Sequence, residues 1–286
     1  MKLKIIYLTF LISGLFFISC SNEVDPKEPL VEVEFLDRSY GTDSQQNYNI
    51  YLPANRDLKT PVIILVHGGS WIGGDKNDMD LFVDNIKVSL PKFAIANINY
   101  RLLTVSENKH PTQINDINMF INDLGNKQSE YQISNKYYFL GVSAGAHLSL
   151  LYTYTKNNGN IKAVCSIVGP TNFTDPNYIN SENPNFNLLA TTFLGDTYQN
   201  NPQLYQDASP IFQVNNSSAP TILFYGGNDP LIPSSQGNDL DQKLTELNIL
   251  HEFTFYANEA HGWDGINAID TMTKITSFFN QIEKNQ

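Results

Sequence analysis

Gly141-Val142-Ser143-Ala144-Gly145 follows an apolar stretch at 137–140 and precedes a second one at 146–154 that suits a helix. Between a strand and a helix, this G-x-S-x-G spacing lifts a serine hydroxyl out of the packed sheet and exposes it. A serine hydroxyl is a weak nucleophile at neutral pH, so it needs a base beside it and donors for the negative charge its attack creates. The donors have a natural source upstream, where His67-Gly68-Gly69-Ser70-Trp71 ends the β-branched run at 61–66. Adjacent glycines let backbone N–H groups turn toward an oxyanion. The expected donors are the amides of Gly69 and Ser70, joined by that of Ala144, the residue after the serine.

The base must come from one of five histidines. His261-Gly262-Trp263 stands between a last strand candidate at 253–256 and a last helix candidate at 266–282. Packing, surface or turn positions suit the others better: His147 inside the helix after the serine, His251 at a strand start, His110 before Pro111. An orienting carboxylate is expected between Ser143 and His261, the chain order that accompanies this serine motif. Asp229 fits best, because an apolar strand at 221–225 and a glycine turn place it at the sheet's carboxyl edge. Asp175, Asp196 and Asp207 have no strand end to hold them, and Asp264 is too close in sequence to His261. Hydroxyl, imidazole and carboxylate need no metal or organic cofactor, and no metal-ligand spacing is found.

Several short apolar runs carry these residues. Strand candidates fall at 31–40, 48–52, 61–66, 93–100, 137–140, 163–168, 221–225 and 253–256, with helical spacing at 114–124, 144–154, 240–247 and 266–282. The alternation predicts an α/β fold with a mostly parallel central sheet flanked by helices, edged by two antiparallel strands. Ligands bind at the carboxyl ends of strands in such sheets, where both motifs lie. From 171 to 219 the pattern lapses into Asn, Pro and Tyr, too long for a plain loop. It is expected to be a cap insertion within one domain spanning 31–286, with tyrosines such as Tyr178 and Tyr198 lining the pocket.

A formal charge of −11, from 29 acidic and 18 basic residues, excludes sequence-independent nucleic-acid binding and makes an anionic membrane surface an unfavourable partner. Lys2 and Lys4 precede an apolar run at 5–18, which predicts an export signal over 1–19. Phe17-Ile18-Ser19-Cys20 resembles a bacterial lipobox, which implies lipidation of Cys20 and a flexible tether over 20–30. The protein is then expected to be exported and membrane-anchored through that lipid alone. Only Cys165 remains, in an apolar segment where a free thiol acts as a small hydrophobe.

Taken together, His67–Trp71, Gly73-Gly74-Asp75-Lys76, Asn99-Tyr100-Arg101-Leu102, Gly141–Gly145, Gly227-Asn228-Asp229 and His261-Gly262 resemble the α/β-hydrolase fold over residues 31–282. Within it the chain is similar to hormone-sensitive-lipase-like and feruloyl-esterase-like carboxylesterases. Ser70 stands where many of the former have a third glycine; H-G-G-x-W is similar instead to the feruloyl-esterase-like and kynurenine-formamidase-like branches. The resemblance implies ester hydrolysis through an acyl-enzyme on Ser143, with His261 as base and Asp229 orienting it. Small acyl or aromatic esters, including those of plant polysaccharides, are the expected substrates. It also implies that Arg101 and Asp116 support the loops by an ion pair or backbone bonds. Trp71 either packs under the oxyanion loop or lines the pocket. Two rival readings differ in class. A serine peptidase of this fold usually carries a further large domain that these residues do not accommodate. A non-catalytic glycan-binding surface lipoprotein would tend to have lost one of Ser143, Asp229 and His261.

Overall fold

Val62-Ile63-Ile64-Leu65-Val66 is buried throughout, so this strand must be covered on both faces, and the fold supplies that cover. The computed structural model describes residues 29–179 and 184–285. The expected export signal over 1–19, Cys20 and nearly all of the expected tether lie outside the described residues. In chain order the strands are β1 (Val33–Ser39), β2 (Asn47–Leu52), β3 (Val62–Val66), β4 (Ala94–Ile98), β5 (Tyr137–Val142), β6 (Ile161–Ile167), β7 (Thr221–Gly226) and β8 (His251–Tyr256). They form one sheet in the order β1-β2-β4-β3-β5-β6-β7-β8. β1 and β2 pair antiparallel, as do β2 and β4; from β4 onward every pairing is parallel.

The helices are α1 (Asp80–Ser89), α2 (Thr112–Asn126), α3 (Gln128–Tyr131), α4 (Ala144–Lys156), α5 (Pro176–Ile179), α6 (Pro184–Leu194), α7 (Pro202–Asp207), α8 (Pro210–Gln213), α9 (Ser235–Glu246) and α10 (Gly265–Lys284). Strand side chains alternate between faces, and the two cores follow that period. Val62, Ile64 and Val66 join Ile117, Phe120 and Leu148 on one face, where α2 and α4 pack. Ile63 and Leu65 join Val83, Ile86, Ile275 and Phe279 of α1 and α10 on the other. Cys165 is fully buried in this second core, and burial pushes its thiol up, so it behaves as the expected small hydrophobe.

Every predicted strand is present, with ends shifted by up to two residues, while the helix expected at 240–247 begins earlier, at Ser235. Among the described residues, the stretch between β6 and β7 expected to be a cap contains the helices α5 to α8. Its anchors are buried aromatics rather than a periodic apolar stripe: Phe173, Tyr178, Phe193 and Tyr205 join the core on the α4 side. Among the described residues, no helix is long and apolar enough to cross a membrane.

Candidate active site

The serine sits where the chain has least freedom. Ser143 adopts φ 53° and ψ −118° between β5 and α4, a conformation that costs a non-glycine residue about 1–3 kcal/mol and persists only where its surroundings enforce it. The enforcement is visible on both sides. Its amide donates to the Ile167 carbonyl at 2.8 Å, and its carbonyl accepts from the His147 amide at 3.0 Å. A Cβ at Gly145 would lie 2.1 Å from the Val66 carbonyl oxygen, and one at Gly141 would lie 2.3 Å from that of Gly145. Both positions of the motif must therefore be glycine for α4 to start this close to β3.

The Ser143 hydroxyl stands 2.9 Å from His261 Nε2, and His261 Nδ1 stands 2.7 Å from Asp229 Oδ2. The other oxygen of Asp229 accepts from the amides of Leu231 and Ile232 at 2.8 and 3.0 Å. This leaves the carboxylate side chain 1% exposed and fixed in direction, while the imidazole keeps 23% of its surface toward solvent. The two loops carrying acid and base are tied together by Gly227 donating to Tyr256 and Asn228 to Glu259, at 2.9 and 2.8 Å. The rival acids are engaged elsewhere. Asp175 accepts from Ser235 and Gln236, Asp196 from Asn200 and Asp207 from Gln203.

The loop after β3 turns through three consecutive positive φ angles: Gly69 at 105°, Ser70 at 54° and Trp71 at 62°. At Gly69 the requirement is steric as well, since a Cβ there would lie 2.2 Å from the Gly73 carbonyl oxygen. Among the described residues, the amides of Gly69, Ser70 and Ala144 donate to no acceptor in the protein. Ser70 and Ala144 line the same cavity of about 270 Å³ as Ser143 and His261, whereas Gly69 does not. His67 is beneath the loop, its ring stacked on Tyr100 at 4.3 Å, and burial lowers its pKa. Gly68 brings the loop against the serine, so that a Cβ there would lie 3.3 Å from Ser143 Cβ.

The remaining cavity walls are Trp71, Pro170, Tyr178, Leu189, Leu231 and Ile232. Tyr178 lines it as expected. Tyr198 does not; it packs edge-on against Tyr205 at 5.4 Å, with no part in the cavity. Trp71 lines the cavity, and its buried ring stacks on Phe193 of the inserted stretch at 4.4 Å. Arg101 and Asp116 do both things asked of them. The guanidinium pairs with the fully buried carboxylate at 2.6 Å, and the Arg101 amide donates to it at 2.9 Å. Leu189, Leu231 and Ile232 were not legible as lining residues, because no motif marks an apolar side chain that faces a cavity rather than the core.

Three loops and a strand–helix turn thus bring a hydroxyl, an imidazole and unsatisfied amides to one mostly apolar cavity, with a carboxylate behind the imidazole. A sequence model of the BD-FAE family matches residues 48–244, more than half of the chain. The chain belongs to the BD-FAE family. The match covers the loop after β3, Ser143 and Asp229, and stops before His261. Esterase LipC of Mycobacterium tuberculosis is 24% identical over 86% of this chain and 65% of its own length. The isoprenylcysteine α-carbonyl methylesterase ICME of Arabidopsis thaliana is 25% identical over 78% of this chain and 55% of its own length. The chain therefore spans only part of the curated relatives it matches. Among solved structures, a truncated carbohydrate esterase from gut microbiota superposes with a TM-score of 0.74 at 21% identity, over 91% of this chain and 99% of that one. That likeness shows the α/β-hydrolase fold.

Proposed function

We propose that this chain is a carboxylesterase that works through an acyl-enzyme on Ser143. The observation that carries the reading is the unbroken line of hydrogen-bond contacts Ser143–His261–Asp229, opening on a cavity beside unsatisfied amides. His261 Nε2 accepts the hydroxyl proton as Ser143 Oγ attacks the ester carbonyl, and the new oxyanion receives hydrogen bonds from Ser70 and Ala144, with Gly69 adjacent. Asp229 keeps the Nδ1–H of His261 directed at itself, so that Nε2 is free to act as base. The imidazolium then protonates the leaving alcohol. Water, activated by the same nitrogen, releases the acid. The naming of LipC and ICME as esterases supports this class of reaction.

The cavity favours small acyl groups. Its volume of about 270 Å³ falls just under the roughly 300–1,000 Å³ of sites that enclose drug-sized ligands, and its walls are mostly apolar. We read the substrates as esters of small acyl or aromatic acids, and the likeness to a carbohydrate esterase supports plant-polysaccharide esters among them. Lys2, Lys4, the apolar run at 5–18 and Cys20 support export with a lipid anchor. Labelled fatty-acid incorporation, lost in Cys20→Ala, checks that anchor. The catalytic reading is tested by Ser143→Ala on folded protein with p-nitrophenyl acetate: turnover should vanish, and unchanged turnover would rule out the assignment. A panel from acetyl through feruloyl to long-chain esters then ranks the acyl groups, with long chains expected to be the poorest.

A further inference from the structure

His147 takes no part in the chemistry above, yet its side chain meets both the loop after β3 and the stretch inserted between β6 and β7. Its backbone amide holds the Ser143 carbonyl, which places the residue one turn into α4. The indole Nε1–H of Trp71 donates to His147 Nδ1 at 3.3 Å, and His147 Nε2 lies 2.8 Å from the Ala208 carbonyl, between α7 and α8. An indole can only donate and a carbonyl can only accept, so the imidazole is neutral, with its proton on Nε2. Full burial pushes its pKa down to about 3 and keeps it in that form across the physiological range. Phe173 and Phe193 pack edge-on against the ring at 5.0 and 5.8 Å. Both belong to the stretch inserted between β6 and β7.

Trp71 is the last of the three residues that the oxyanion loop holds at positive φ, and its neighbour Ser70 presents one of the unsatisfied amides. Two hydrogen bonds fix Trp71: its carbonyl accepts from the Leu103 amide at 2.8 Å, and its indole donates to His147. A strained turn keeps its amides aimed only while such anchors hold it.

We infer that His147 is a positioning residue for the oxyanion loop, clamping Trp71 to the nucleophile's helix and to the inserted stretch so that the Ser70 amide stays aimed at the reacting carbonyl. This rests on the proposed serine-esterase reading. It predicts a loss in the transition state rather than in ground-state binding, because the oxyanion exists only after attack.

His147→Phe keeps an aromatic ring, somewhat larger than the imidazole, and removes both hydrogen bonds. It should lower kcat on p-nitrophenyl acetate roughly tenfold with KM within about twofold, the signature of an interaction realised only in the transition state. Affinity for a trifluoromethyl ketone, which forms the oxyanion adduct, should weaken by a similar factor. His147→Asn places an amide oxygen near the position of Nδ1 and should recover much of the loss; His147→Gln, which reaches only toward Ala208, should not. Trp71→Phe should reproduce the defect, and the double variant should be no worse than either single one. An unchanged kcat in folded His147→Phe, or a rise in KM alone, overturns the inference. So do additive losses in the double variant. If His147→Phe does not fold, Trp71→Phe decides, and a wild-type kcat there overturns the inference equally. Failure of the underlying reading looks different: Ser143→Ala would then retain turnover.

Discussion

The carboxyl edge of the sheet and the stretch inserted between β6 and β7 meet at one cavity but are built by opposite means. At the edge, position is dictated locally. Gly141 and Gly145 leave no room for a Cβ, Ser143 is held at positive φ, and Gly69 opens a run of three such residues. In the inserted stretch, position comes from long-range aromatic packing, with Phe173 and Phe193 against Trp71 and His147, and Tyr178 against Phe173. On the proposed reading, reaction class is set by backbone geometry at the edge, and acyl preference by cavity side chains, of which Leu189 belongs to the inserted stretch. The second set can change while the first is left intact.

The sharpest way to break this division is at the edge. Asp229→Asn preserves shape but lets His261 adopt the wrong tautomer, and it should lower kcat by about 10³- to 10⁴-fold. It should also loosen Leu231 and Ile232, whose amides bond the same carboxylate, so the ranking of acyl groups should shift along with the rate. A pure rate loss with an unchanged ranking would separate the acid from the wall. Next in size is Arg101→Ala, which leaves the fully buried Asp116 carboxylate without its guanidinium. Thermal or urea unfolding should register a loss of about 2–3 kcal/mol. Leu189→Ala tests the other region. It should leave acetyl ester turnover within about twofold and improve that of longer acyl esters several-fold, as expected where added pocket volume is worth about 1 kcal/mol per methylene. Tyr198→Phe should change neither rate nor ranking by more than about twofold, since the ring packs on Tyr205 away from the cavity.

The same contrast explains what was readable in advance. Where a backbone demand restricts residue type, the sequence carries a mark: glycines around Ser143, paired glycines after His67, a glycine turn before Asp229. The buried strands, with their continuous β-branched runs, were legible for a similar reason, and the end of the strand at 221–225 singled out Asp229 among the acids between Ser143 and His261. The wall of the cavity left no such mark. Tyr178 and Tyr198 look alike as residues in a polar stretch, and only packing sends one to the cavity and the other to Tyr205. His147 reads as an ordinary helix residue, because its partners lie 76 and 61 positions away. α1 was also missed; of its apolar residues Leu81, Phe82, Val83, Ile86 and Val88, only Val83 and Ile86 are buried, so they mark no single core-facing stripe.

The central claim is that Ser143 is activated by His261 and Asp229. It is tested most directly by treating the folded protein with a fluorophosphonate and mapping the modified peptide by mass spectrometry. The account predicts one adduct, on Ser143, formed rapidly in the unaltered protein and slowed by orders of magnitude in His261→Ala and Asp229→Asn. Labelling at another residue, or at an undiminished rate in both variants, would contradict it.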